Sequence, residues 1–308
     1  MFSVRVRRRG LEASYEFPWP VSIVAFMANP RFLKGEEVEE TVRTIASDLF
    51  FDMIEVNPLK PEDWNAVERI AEDAGIAVAV GAQPLVLIEG RNPSSLDEGI
   101  RREAVRALME VVDDAAAHGV ASVALCSGPD PGVDRREDAR RALLKSLEEL
   151  ADYAEERGVM IVLETFDRDW DKRQLIGPLD EAVEIAKALR REFDNFGLLW
   201  DLSHAPMLGE RPDDLRRAAP YLAHIHVGCT KRMPGGELRD WHPGFYRPGA
   251  LNGVEEVMEL IRVLNEVGYE YAVGFEVKPE EGQEWLEVVN AAKGVLYTAF
   301  ARYVYELL

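Results

Sequence analysis

Cysteine, long apolar runs and positive charge are all scarce in this chain of 308 residues. Its two cysteines, Cys126 and Cys229, are too few for a disulfide framework, so we expect a reducing, cytoplasmic environment. No apolar stretch approaches the ~20 residues that a membrane span requires, and we expect no membrane partner. Lys and Arg number 36 against 56 Asp and Glu, and the resulting net charge of −20 argues against a nucleic-acid partner.

A G-x-G-x-x-G turn is also missing, which disfavours a dinucleotide-binding doubly wound sheet. What the chain does contain is a repeated unit of an amphipathic helix, a glycine and a short Val-rich strand. The glycines of these units, which we predict to end the helices, are Gly75, Gly119, Gly158 and Gly268. Continuously apolar strands are typical of a parallel sheet that is buried on both faces.

The repeat predicts eight strands separated by helices. The strands are expected near 21–27, 51–56, 76–81, 121–126, 159–164, 197–202, 222–227 and 271–277. The helices are expected near 36–48, 62–74, 95–118, 134–157, 178–193, 211–218, 253–267 and 283–306, with Ser95 and Glu98 as a capping box. Eight such units predict an α/β fold, a single (β/α)8 TIM barrel over residues 1–308. A long loop after strand seven, 229–252, is expected to lie over the site.

Polar residues stand where the predicted strands end, which is where TIM barrels carry their catalytic groups. These residues are Glu55, Asn57, Glu164, Asp201, His204, His224, His226 and Glu276. Four of the five histidines fall within 39 residues of one another, from His204 to His242. Carboxylates combined with imidazoles are ligands for Mn²⁺, Co²⁺, Mg²⁺ or Zn²⁺. The pattern therefore predicts a divalent-metal enzyme.

The Glu of strand five, the Asp-x-x-His of strand six, the His-x-His of strand seven and the Glu of strand eight resemble the xylose isomerase-like TIM-barrel superfamily. Within it, the motifs look like those of ketose 3-epimerases. The resemblance implies one divalent ion held by Glu164, Asp201, His226 and Glu276. It also implies that His204 and Arg232 bind substrate hydroxyls. The epimerases carry a further Glu six residues after the strand-five ligand, whereas this chain has Trp170.

A divalent ion that chelates a carbonyl and the adjacent hydroxyl acidifies the intervening C–H group. Glu164 and Glu276 can then act as the catalytic acid and base, with an enediolate between the two proton transfers. We therefore expect an isomerase or epimerase of carbohydrate metabolism, with manganese among the candidate ions. The residues do not distinguish epimerisation from isomerisation or dehydration.

Further side chains are expected to contact the substrate. Trp170 and Trp241 can stack on a sugar face, His242 lies in the long loop, and Glu55 can bind substrate or a metal ligand. The basic residues of the long loop can hold an anionic group of the substrate. They include Lys231, Arg232, Arg239 and Arg247.

Several alternatives stay open. One alternative is a metal-dependent lyase or dehydratase. Another is a subunit like those of C-glycoside deglycosidases, which would act on a keto-sugar. Both share the same metal-binding barrel. Apurinic endonucleases of the superfamily use an Asp-x-His with the strand-six His for zinc, so His204, Asp240 and His242 are candidates for a second ion. Those nucleases also need early histidines, and none precedes His118 here. A non-catalytic binding protein and a homo-oligomer are further alternatives.

Overall fold

The computed structural model describes residues 2–308, which begin with an antiparallel hairpin of β1 (Ser3–Arg8) and β2 (Leu11–Glu16). Phe17, directly after the hairpin, packs edge-on against Phe300 near the C-terminus, with 5.2 Å between the ring centroids. Because Phe17 precedes the first barrel strand, the hairpin lies at the N-terminal end of the barrel. The strand ends that carry the polar residues are at the other end.

Eight parallel strands form a closed barrel, which confirms the predicted fold class. Strands that follow one another in the chain are hydrogen-bonded neighbours, and the last strand pairs with the first. The barrel strands are β3 (Val21–Val24), β4 (Met53–Val56), β5 (Ala77–Gly81), β6 (Ser122–Cys126), β7 (Met160–Glu164), β8 (Phe196–Asp201), β9 (Leu222–Val227) and β12 (Val273–Phe275), while the loop after β9 holds a hairpin of β10 (Lys231–Arg232) and β11 (Leu238–Arg239).

Helices surround the barrel, and their apolar faces pack with the outward-facing Val, Leu and Ile side chains of the strands to form the core. They are α1 (Ala25–Ala28), α2 (Val38–Ala46), α3 (Pro61–Ala74), α4 (Gln83–Leu87), α5 (Glu98–Ala117), α6 (Arg136–Glu155), α7 (Leu179–Leu189), α8 (Ala205–Leu208), α9 (Val254–Glu266) and α10 (Trp285–Leu307). The four predicted helix-ending glycines all have φ between 67° and 69°. Within residues 2–308, none of the helices has the combined length and apolar character of a membrane span.

Two local predictions were wrong. The first barrel strand, expected over 21–27, stops at Val24 because the chain turns into the short helix α1. Ser95 does not cap α5. Asp97 does so instead, because its carboxylate accepts hydrogen bonds from the backbone N–H groups of Gly99 and Ile100.

Candidate active site

Four side chains at the carboxyl ends of the barrel strands meet in one cluster. They are Glu164 at the end of β7, Asp201 at the end of β8, His226 in β9 and Glu276 after β12. One ligand-type atom of each lies within 4.8 Å of those of the others. The first three residues are at most 2% exposed. The structure therefore brings together the four residues that the family resemblance implies as metal ligands.

Two atoms of this cluster have no hydrogen-bond partner within residues 2–308, Glu164 Oε1 and His226 Nδ1. They lie 3.9 Å apart. His226 Nδ1 is also 2.9 Å from Glu276 Oε2, but without the alignment of a hydrogen bond. An unpartnered buried polar atom costs about 1–3 kcal/mol. A divalent cation would satisfy both atoms, and three carboxylates with one imidazole fit Mn²⁺, Co²⁺, Mg²⁺ or Zn²⁺.

Neighbouring groups orient two of the carboxylates. Gln83 Nε2 donates to Glu164 Oε2 at 2.7 Å, which leaves Oε1 directed at the cluster. The backbone N–H of Ser203 donates to Asp201 Oδ1 at 2.7 Å. Contacts of this kind fix the direction in which a metal ligand presents its lone pairs.

The two glutamates differ in their affinity for a proton. Burial, together with the charge of Glu276, raises the pKa of Glu164 to about 8. Burial also opposes ionisation of Glu276, but the charges of His242 and His226 outweigh it and lower the pKa of that carboxyl. Two carboxyls whose pKa values are moved apart can serve as an acid and a base in one site.

Glu55 joins two imidazoles next to this cluster. Its Oε1 accepts from His224 at 2.9 Å and from Ser22 at 2.6 Å, and its Oε2 is 2.9 Å from His226 Nε2. Gly274 leaves room for this group, because a Cβ there would lie 2.4 Å from Glu55 Oε1. Burial opposes ionisation, but the two imidazoles outweigh it and hold the pKa of Glu55 well below its usual range. Although Glu55 lines the cavity, its contacts are those of a residue that orients His226.

A second polar cluster shares Asp201 with the first. His204 Nδ1 donates to the carbonyl of Thr165 at 2.8 Å, so its Nε2 faces Asp240 Oδ1 at 3.2 Å. His242 Nε2 lies 2.6 Å from the same oxygen. Burial disfavours charged imidazoles, but the surrounding carboxylates outweigh it, so the pKa of His204 is well above its ordinary value and that of His242 is about 9. The structure thus brings together the three residues proposed for a second ion.

A cavity of about 290 Å³ opens onto both clusters. Its size is at the low end of the roughly 300–1,000 Å³ usual for small-molecule sites. Apolar side chains line part of it, namely Phe26, Met27, Leu33, Leu87 and Ile88. Lys172 and Lys278 line it as well, and sequence analysis missed both as site residues. Their positions in the sequence could have identified them, because each lies in the loop that follows a strand with a predicted metal ligand.

The family model described as "Xylose isomerase-like TIM barrel" matches residues 44–295. The chain belongs to this family. The match includes Glu164, Asp201, His226 and Glu276, the predicted metal-ligand cluster, and the family agrees with the resemblance in the strand-end motifs.

Two curated relatives of this xylose isomerase-like chain are named as enzymes. D-psicose 3-epimerase of Agrobacterium fabrum is 24% identical over 207 residues, which cover 63% of this chain and 69% of that protein. Inosose isomerase of Bacillus licheniformis is 28% identical over 147 residues, 47% of this chain and 50% of that protein. The chain therefore aligns with only about half the length of the second relative.

Solved structures show the same fold as this xylose isomerase-like barrel. A D-tagatose 3-epimerase-like protein superposes with a TM-score of 0.74 at 18% identity, covering 94% of this chain and 100% of the other. The IOLI protein with a binding zinc atom gives a TM-score of 0.70 at 21% identity, covering 92% and 99%. At these identities the likeness concerns the fold alone.

Three exposed side chains that were expected at the substrate do not line this cavity, and neither does the buried His204. Arg232 is exposed, because the β10–β11 hairpin holds it away from the strand ends. Trp170 is 41% exposed, and its indole N–H donates to the carbonyl of Met207 at 3.0 Å. Trp241 is 43% exposed, and its ring lies against the ammonium of Lys278. The structure thus places these three side chains around the site of this xylose isomerase-like barrel, outside the cavity wall.

Proposed function

We propose that the protein is a divalent-metal-dependent isomerase or epimerase that acts on a small carbohydrate. The observation that carries the proposal is the cluster in which Glu164, Asp201, His226 and Glu276 each offer one ligand atom to a single cation, all within 4.8 Å of one another. The relatives named for psicose and inosose support the enzyme class and the carbohydrate substrate. The proposed reaction removes a proton from a carbon next to a carbonyl and returns one, through an enediolate of the substrate.

The four residues of the metal-ligand cluster would hold the ion. As a Lewis acid, the bound ion would acidify the C–H group of the substrate next to its carbonyl. Glu276 accepts the proton, because neighbouring imidazoles favour its ionised form. Glu164, the other carboxylate of the cluster that lines the cavity, can carry the proton that is returned. Since β7 and the segment after β12 are not neighbours in the barrel, the two glutamates reach the substrate from different sides. Return to the opposite face gives an epimer.

We assign one ion per chain. In the second cluster the ring nitrogens of His204 and His242 face carboxylate or carbonyl oxygens, and Asp240 is also 3.6 Å from Lys172. Charged imidazoles satisfy that cluster without a cation. The metal content of purified protein should therefore be one ion per chain, and it should stay so in Asp240→Asn.

Deuterium exchange tests the proposed reaction. Metal-stripped protein is reconstituted with Mn²⁺, Co²⁺, Mg²⁺ or Zn²⁺ and incubated in D₂O with D-psicose, D-tagatose, D-fructose and inosose. We expect deuterium at the carbon next to the carbonyl with at least one ion, detected by NMR. Glu164→Gln and Glu276→Gln should each lower the exchange rate by a factor of about 10² or more.

Glu237→Gln is the matched control, because Glu237 is an exposed glutamate of the loop after β9 and does not line the cavity. This variant should keep the exchange rate. Exchange that survives both cavity substitutions contradicts the assignment of the glutamates. Undiminished metal binding in a Glu164→Ala, Glu276→Ala double variant contradicts the assignment of the site.

A further inference from the structure

The cavity lining contains two ammonium groups in a protein whose net charge is −20. Lys172 lies in the connection between β7 and α7, and Lys278 lies two residues after Glu276. Neither lysine belongs to the long loop, 229–252, whose basic residues were expected to hold an anionic group of the substrate. A surplus of negative charge on a protein repels anions at long range. Cations inside a cavity therefore give the cavity a local preference for anions that the rest of the surface lacks.

The two lysines differ in their partners. Lys172 Nζ lies 3.6 Å from carboxylate oxygens of both Asp171 and Asp240. Within residues 2–308, no carboxylate lies at ion-pair distance from the ammonium of Lys278, which instead lies 4.1 Å from the centroid of the Trp241 ring. A cation–π contact at a partly exposed site contributes about 0.5–1 kcal/mol and leaves N–H donors free. The half-buried Lys278 therefore retains capacity for an anion.

The backbone fixes where Lys278 stands relative to the reacting groups. Its N–H donates to the carbonyl of His242 at 2.7 Å, and it forms a parallel bridge with Pro243. Glu276 and Lys278 both line the cavity, and residues two apart in a chain lie at most about 7 Å from each other. A short carbon chain can span that separation, with its carbonyl end at Glu276 and its other end at Lys278.

We propose that the substrate is an anionic sugar derivative whose carboxylate or phosphate is bound by Lys278 and Lys172. This inference rests on the proposed function of the same cavity and names the substrate class that it takes. Hydrogen bonds between charged partners are strong where apolar side chains limit water, as Phe26 and Leu33 do here. We expect the anionic group to raise affinity about tenfold or more over that of the neutral sugar.

Isothermal titration calorimetry of the metal-loaded protein tests this with three probes of similar shape. They are D-fructose, D-fructose 6-phosphate, and D-fructuronate, which carries a carboxylate in place of the terminal CH₂OH group. We expect at least one anion to bind about tenfold more tightly than D-fructose, and the tighter of the two identifies the anionic group. Lys278→Met should remove the advantage of the anion over D-fructose, and Lys172→Met should reduce it.

Arg247→Met is the matched control, because Arg247 is an exposed cation of the loop after β9 that does not line the cavity. It should keep the anion preference. The inference is overturned if D-fructose binds as tightly as both anions, if neither anion binds, or if the preference survives in the Lys172→Met, Lys278→Met double variant. Metal content and deuterium exchange are measured on the same preparations. Loss of the anion preference alone overturns only this inference, whereas absent metal binding overturns the proposed function.

Discussion

The carboxylate of Glu55 determines which nitrogen of His226 faces the metal-ligand cluster. A carboxylate accepts hydrogen bonds, so the contact of Glu55 Oε2 with Nε2 at 2.9 Å places the ring proton there. When an ion is bound, Nδ1 then presents its lone pair to that ion, on the side where Glu164 and Glu276 lie. A carboxylate behind a metal-binding imidazole also raises the basicity of that imidazole.

Glu55→Gln should therefore weaken metal binding about 10–100-fold, because an amide in this place holds the imidazole less strongly. Titration with Co²⁺, followed by its visible absorption, measures both the affinity and the ligand geometry. Ser22→Ala is the control, since it removes the 2.6 Å hydrogen bond to the other oxygen of Glu55 and leaves the contact with His226 in place. An unchanged Co²⁺ affinity in Glu55→Gln would show that the carboxylate does not position the ring.

Helices α5 and α6 are joined by a buried arginine that no sequence pattern indicated. Arg101 is 1% exposed. Its guanidinium donates to Ser146 at 2.9 Å, to Glu149 at 2.9 Å, and to both carboxylate oxygens of Glu98 at 2.7 and 2.9 Å. A planar guanidinium with several donors is suited to such a buried position between two helices.

Arg101→Met should lower the free energy of unfolding by about 1–3 kcal/mol, measured by urea denaturation. The loss of unfolding free energy stays moderate because the side chains of Glu98 and Glu149 are 43% and 38% exposed. Water can therefore hydrate them when the arginine is gone. Arg102→Met is the control. Arg102 is 67% exposed, so its ion pair with Glu98 should contribute less than about 0.5 kcal/mol. Equal losses in the two variants would contradict a special role for the buried arginine.

The order and position of the elements follow from the sequence because the helix–glycine–strand repeat is a local signal. Each barrel strand begins within two residues of its predicted start, as with 51 against Met53. The meeting of polar strand-end residues could be predicted too, since parallel strands end on one side of a barrel, whereas the choice of the four ligands came from the family resemblance. The positions of the basic side chains could not, because the path of a long loop depends on tertiary contacts. Arg232 is therefore exposed, whereas Lys172 and Lys278 reach the cavity.

At the scale of the whole molecule, the metal-ligand cluster depends on closure of the barrel. Its residues come from β7, β8, β9 and the segment after β12, and 112 positions separate Glu164 from Glu276. An unfolded chain has no preformed site of this kind, so binding of an ion adds directly to the stability of the folded barrel. The ion would also offset part of the carboxylate charge that burial makes unfavourable.

Metal loading should therefore raise the melting temperature, by about 5 °C when the free ion is at ~100 times its Kd. At one fixed concentration of free ion, the gain should be larger at pH 8 than at pH 6. The raised pKa of Glu164, about 8, means that its proton stabilises the ion-free fold at low pH and that this contribution is lost as the pH rises through that value. An ion competes with this proton and binds better once it has left. Calorimetry with and without Mn²⁺ measures the gain. Glu164→Gln should abolish most of it, and a gain that falls between pH 6 and pH 8 would contradict coordination by Glu164.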